Sequence, residues 1–260
     1  MINRSISYLH KLEVLDLSCN SLEHLESINN LTNLKILNLS DNKIKHVNSG
    51  MLNSLNNLIR LDLTSNRLIQ ISDDTFMHQT KLKELLLVEN NLEKLDKNSF
   101  NGLSSLEILN LNSNSIDNIH PDTFKKLVNL KELDLSSNDI SKMDNFVFMC
   151  LNSLEVLNLK SNLINELNNV LFSKLVNLKS LNLSTNNLEK ISTNPFDCLI
   201  SLTELDISNN SIGYIQRETF FKVTKLKKLD LSYNKMKIFD NNLFVKLPNL
   251  LHLYLQMDSN

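Results

Sequence analysis

Cysteine and histidine are the side chains that most often hold metals or act as nucleophile and base, and this 260-residue chain has three of the first and six of the second. Cys19, Cys150 and Cys198 show no C-x-x-C spacing that would place two sulfurs on one metal or one redox turn. His24 and His46 are 22 residues apart on equivalent positions of a repeat, and the next equivalent position is Gln70. Zinc asks for three or four ligands, so no metal site is expected. His10, His24, His46, His78, His120 and His252 share no motif with the serines that would make a nucleophile and base pair. Only three glycines occur, too few for a loop that cradles phosphate, and no Walker, G-x-S-x-G or H-E-x-x-H pattern is present. No catalytic residue and no cofactor are expected.

The abundant chemistry is that of the carboxamide. The chain has 54 Leu and 41 Asn. Asn carries two donors and an acceptor on a short stem, which suits it to satisfying backbone groups in a sharp turn. Ten asparagines fall at a regular interval: Asn20, Asn42, Asn66, Asn90, Asn114, Asn138, Asn162, Asn186, Asn210 and Asn234. The first spacing is 22 residues and all later ones are 24. Each closes the pattern L-x-x-L-x-L-x-x-N, as in Leu12-Leu15-Leu17-Asn20, and a last unit Leu250-Leu253-Leu255 carries Asp258 in the Asn slot. Apolar residues follow the Asn by two places (Leu22 to Met236) and by five (Leu25 to Phe239). Ten places on, Phe fills eight successive units: Phe76, Phe100, Phe124, Phe148, Phe172, Phe196, Phe220 and Phe244. A fixed period of this length is the mark of a stacked-repeat architecture.

These units resemble the leucine-rich repeat family across essentially the whole chain. The 24-residue period with its Phe slot is similar to the class common in extracellular animal proteins such as Toll-type receptors, chaoptin and slit. The resemblance implies an α/β fold: a right-handed solenoid bent into a horseshoe, with a parallel concave sheet of about eleven short strands and a convex side of loops and 3-10 turns. It implies one domain over residues 1–260, ten full repeats and a partial eleventh. It also implies that the ten asparagines form a structural ladder between neighbouring turns. Extracellular members usually carry cysteine-rich caps. The repeat starts at once, with Met1 on an inward slot, and runs to the last residue, which leads us to expect a fragment of a longer protein.

Period two in x-L-x-L-x assigns the strands their faces. Leu15 and Leu17 turn inward; Val14, Asp16 and Ser18 turn to the concave side. The central concave column reads Asp16, Asn38, Asp62, Leu86, Asn110, Asp134, Asn158, Asn182, Asp206, Asp230 and Tyr254. Asp or Asn is common there in the family, so the departures inform most. Leu86 with Val88 makes an apolar spot, flanked by Arg60, Asp62 and Ile108. Glu84, Asn110, Glu132 and Asp134 complete the candidate ligand-binding surface. Tyr254, with His252 and Tyr233, is a second candidate, for which packing against a further coil is the preferred reading. Over three outward positions per strand, eight acids face three bases, a net of −5 against −2 for the whole chain. A partner that is basic, or at least not acidic, is expected there. Outside these columns Glu107, Lys131, Glu155 and Lys179 alternate in sign, a device for setting register.

The net charge of −2, with 22% charged residues, gives no global basic field, so nucleic acid is not an expected partner. No apolar run is long enough for a membrane span, and no apolar signal core follows the N-terminus. Cys150 and Cys198 occupy one slot two coils apart, roughly 10 Å at the spacing of adjacent strands and beyond disulfide reach. Three free thiols are therefore expected. Sequons at Asn3, Asn30, Asn38, Asn182 and Asn209 are no more than this Asn, Ser and Thr content gives by chance. The expected function is a protein-binding scaffold, the ligand-recognition region of an extracellular receptor or adhesion-type protein. The alternative is an intracellular adaptor, favoured by free thiols and the missing signal segment. An enzyme is the least supported reading.

Overall fold

A strand in which every second residue is leucine has one face to bury and one to solvate, and a three-residue strand cannot bury its face alone. The computed structural model describes residues 6, 8–24, 28, 30–47, 49–191, 194–238 and 240–256; Met1, Asn3, Leu25, Phe239 and Asp258 lie outside these. Eleven three-residue strands, from Val14–Asp16 to His252–Tyr254, form one sheet in chain order. Every pairing is parallel, so a full coil separates each strand from the next. Leu61, Leu85, Leu109, Leu133 and Leu157 lie opposite one another in register. The expected parallel-strand solenoid is thus the observed one. Among the described residues helix amounts to the single turns Ser49–Leu52 and Arg217–Phe220 and 3-10 backbone at Ile6 and Tyr8.

Each coil fills the same berths. In one of them Leu130, Leu133, Leu135, Ile140, Phe148 and Leu151 are all at most 1% exposed. Each such side chain contributes about 1.5–3 kcal/mol relative to leaving it in water, and most of that comes only when the next coil covers it. On the convex side the phenylalanines stack from coil to coil. Ring centroids are 6.1 Å apart for Phe100 and Phe124, 6.3 Å for Phe124 and Phe148, and 6.2 Å for Phe196 and Phe220. Two short parallel ribbons supplement the main sheet, Lys94–Leu95 with Asn118–Ile119 and Lys190–Ile191 with Tyr214–Ile215. Beside the second ribbon a cavity of about 800 Å³ is lined by Met143, Asn145, Leu167, Asn168, Leu171 and Ile191, among others.

The repeated asparagines close the turn after each strand. From Asn42 to Asn234 each Nδ2 donates at 2.9–3.0 Å to a leucine or isoleucine carbonyl of the preceding coil. Each Oδ1 accepts from a backbone N–H of that same coil at 2.9–3.1 Å. Asn20 is exposed, and its Nδ2 donates to Leu17 and Ser18 of its own coil. The residue before each Asn takes a left-handed backbone conformation, with φ between 51° and 56° from Cys19 through Ser137 and Thr185 to Tyr233. That conformation costs an L-residue about 1–2 kcal/mol. It persists because the Asn on one side and a coil-to-coil bond on the other fix it, as when Ser137 N–H donates to the Lys160 carbonyl at 2.8 Å.

Candidate functional site

Nine of the eleven central-column residues on the outward face of the sheet are Asp or Asn, and their side chains do local work. In each of these nine coils a side-chain oxygen accepts from the backbone N–H two residues on, at 2.8–3.1 Å. Asp16, Asp134, Asp206 and Asp230 also accept from the following serine hydroxyl. These are Asx turns that end the strand. The Ser18 bonds draw the Asp16 carboxyl below the usual carboxylate range. Asp62, Asn110 and Asp134 therefore serve the turn first. Asp134 uses a second oxygen as well, accepting from Asn158 Nδ2 at 3.1 Å.

Leu86 breaks this column. Its side chain offers no acceptor to the N–H of Val88. Leu86, Val88 and Ile108 are all partly exposed, and Ile108 lies opposite Glu84 on one strand and Glu132 on the other. Arg60 closes the N-terminal side of this spot: its Nη1 lies 2.6 Å from both oxygens of Glu84, and its Nη2 lies 3.5 Å from Asp62. Glu132 is exposed between Ile108 and Val156 and makes no ion pair among the described residues. Arg60, Asp62, Glu84, Leu86, Val88, Asn110, Glu132 and Asp134 are thereby brought together on four adjacent strands. Tyr254 is not part of this group. It lies on the last strand opposite Asp230, beside exposed His252.

The flanking charged column pairs closely. Glu107 lies 2.9 Å from Lys83 and 2.6 Å from Lys131, and Glu155 lies 2.6 Å from Lys179. Hydrogen bonds from Lys131 and Lys83, reinforced by their charge, hold the Glu107 carboxyl at about 2. Glu107 in turn raises the Lys131 ammonium. Lys83 extends the column beyond the four residues singled out in the sequence, and Glu13 with Lys35, 2.8 Å apart, repeats the device two coils before it.

A second carboxamide column was also missed. Asn33, Asn57, Asn129, Asn177 and Asn249 donate at 2.7–2.8 Å to carbonyls 23–25 residues earlier in the chain. Their signal is the short motif L-x-N-L just before the strand. All three cysteines are free thiols. Among the described residues no three His, Cys, Asp or Glu side chains could hold a metal ion, and no helix is long and apolar enough to cross a membrane.

Identical coils joined by a parallel sheet, a carboxamide ladder and a stacked Phe column define a solenoid repeat protein. Matches to family models described as leucine rich repeat cover residues 11–31 and, in overlapping segments, 32–259, and the chain belongs to that family. No curated protein matches it in sequence. Among solved structures it is similar to a chain of an octameric complex of Latrophilin 3, Unc5D and FLRT2, in which FLRT2 is the leucine-rich repeat part. There the identity is 26%, the TM-score 0.82, and the match covers 93% of this chain and 74% of that one. A complex of TLR13 with a single-stranded RNA aligns at 26% identity and TM-score 0.79, over 98% of this chain and 41% of that one. An internalin of Listeria monocytogenes shares the fold at 24% identity and TM-score 0.67, over 98% and 76% of the two chains.

Proposed function

We propose that this chain is a non-catalytic protein-binding scaffold, the ligand-recognition repeat region of an extracellular receptor or adhesion-type protein, with its site on the concave face around Leu86. The observation that carries the reading is the interrupted Asx column. An unbroken column would serve the turns alone; here one coil gives up a turn bond and presents Leu86, Val88 and Ile108 to solvent inside a polar rim. Apolar clusters of that kind mark contact surfaces. The likeness to a leucine-rich repeat chain assembled with other proteins supports the same reading. Recognition of RNA, as in the TLR13 complex, is disfavoured because the concave columns carry a net −5, which repels phosphate. Three free thiols favour an intracellular adaptor as the second reading. Surface labelling of cells expressing the complete gene product separates the two.

The test uses the repeat's own grammar. Leu86→Asn supplies Val88 N–H with the acceptor found in neighbouring coils. The folding free energy should stay unchanged or become more favourable, by about 1 kcal/mol at most, read from a urea denaturation curve. A photo-cross-linking residue at position 88, or at Lys125 on the convex side as control, is then exposed to a displayed protein library. Adducts formed from position 88 and lost in the Leu86→Asn background support the site. Adducts confined to position 125, or indifferent to Leu86→Asn, overturn it.

A further inference from the structure

Resting on that reading, the geometry points to the chemistry of the partner: we infer a segment that sets a bulky apolar side chain on Leu86, Val88 and Ile108 and an Arg or Lys on Glu132, roughly 12 Å from Leu86. The outward column next to Leu86 reads, strand by strand, Arg60, Glu84, Ile108, Glu132 and Val156. Its two ends differ. At the N-terminal end Glu84 is saturated, with both oxygens 2.6 Å from Arg60 Nη1. That pair asks nothing of a ligand.

At the other end Glu132 is exposed, with Ile108 and Val156 on either side and Asp134 two residues along the same strand. The lysine beside it in sequence, Lys131, is held by Glu107 at 2.6 Å. The nearest outward base on the next strand is Lys160, four residues past Val156 and so roughly 13 Å along the strand. At that distance, in solvent, its charge is largely screened. Glu132 therefore stands as an uncompensated carboxylate with apolar neighbours. A cation docked on it would be partly desolvated, which strengthens a charge-assisted hydrogen bond.

Leu86 and Glu132 lie two strands apart, roughly 10 Å across the sheet, and two residues offset along it, which makes roughly 12 Å in all. An extended chain covers that distance in about three to four residues. The partner segment thus runs across the strands, apolar group toward the N-terminal coils and cation toward the C-terminal ones. The reverse polarity would set its cation beside Arg60.

The purified chain, used to select from a displayed random-peptide library, tests this. Recovered peptides should carry Lys or Arg about three to four residues from a bulky apolar side chain. Their affinity should fall about tenfold or more with Glu132→Lys and with Leu86→Asn, and severalfold on raising NaCl from about 0.1 M to about 0.5 M. Lys125→Glu on the convex side should leave it unchanged. Peptides lost on Leu86→Asn but indifferent to Glu132→Lys overturn the inference and leave the concave reading standing. Peptides indifferent to both, or no selected binders, overturn the two together.

Discussion

At the scale of one residue, the same side chain has different worth according to which coil precedes it. Asn138 donates to the carbonyls of Leu111, Leu135 and Ser136 at 3.0–3.1 Å and accepts from Ile116 N–H at 2.9 Å. Asn138→Ala leaves the Ile116 N–H without its acceptor and takes one of the bonds from each carbonyl, since Leu111 keeps Asn114 Nδ2, Leu135 keeps Asn162 Nδ2 and Ser136 keeps Ser113 N–H, so the loss should be about 1–3 kcal/mol in all. Asn20 is exposed and donates within its own coil, so Asn20→Ala should cost well under half as much. Urea denaturation of both variants measures the difference, and equal losses would remove the inter-coil ladder from the account. Gly102 sits at φ +90, where an added Cβ would lie 2.2 Å from the Phe76 carbonyl oxygen and 2.6 Å from Met77 Cα. Backbone on the neighbouring coil must then move, because no flexible side chain can yield. Gly102→Ala should destabilise by about 1–3 kcal/mol in the same assay, whereas other coils carry Lys126, Cys150 or Lys174 at this slot.

At the scale of the element, period and composition made the strands, the Phe column and the Asn column legible, because each berth is defined by one residue type at one spacing. The left-handed residue before each Asn was not legible. Its slot holds Cys19, Ser137, Thr185 and Tyr233 alike, so no type marks it, and the conformation is imposed by coil-to-coil bonds. The Asx turns escaped notice for the opposite reason: Asp and Asn at the central column read as a family habit, and only coordinates show the bond two residues on. Of the candidate site, Leu86 was legible as a departure. The saturation of Glu84 and the isolation of Glu132 were not, since they depend on which neighbouring strand supplies a guanidinium. The charged column yields a pH prediction. The Glu107 carboxyl lies at about 2 in the fold against 4.5 ordinarily. A depressed carboxyl stabilises the fold above its ordinary value and loses that contribution as pH falls toward its folded value. The urea midpoint should therefore decline between pH 4.5 and about 2. In a Lys83→Met, Lys131→Met double variant the Glu107 resonance should titrate near its ordinary value, and that share of the decline should vanish. A resonance still titrating at about 2 in the double variant would assign the shift to something other than the two lysines.

At the scale of the molecule, each coil meets only its two neighbours, so the solenoid should tolerate removal of whole coils and not of fractions. Deleting residues 115–138 joins Asn114 to Asp139 and preserves every berth: Phe100 then meets Phe148, and Asn114 is followed by a coil ending in Asn162. Deleting half a coil would set leucine slots against loop positions and should abolish the cooperative transition. The charged column makes the intact-coil deletion more discriminating, because its period is two coils and not one. Losing residues 115–138 removes Lys131 and places Glu107 beside Glu155; losing residues 115–162 removes both Lys131 and Glu155 and returns Glu107 to a lysine, Lys179. Like charges on adjacent strands repel, and salt screens them. The single-coil deletion should thus gain stability as NaCl is raised, while the parent and the two-coil deletion should hold level or weaken. Circular dichroism melts of the three proteins across a salt series read this directly. If the single-coil deletion showed the parent's salt response, the alternation of sign would carry no part in aligning the coils, and the register would rest on the leucine and asparagine berths alone.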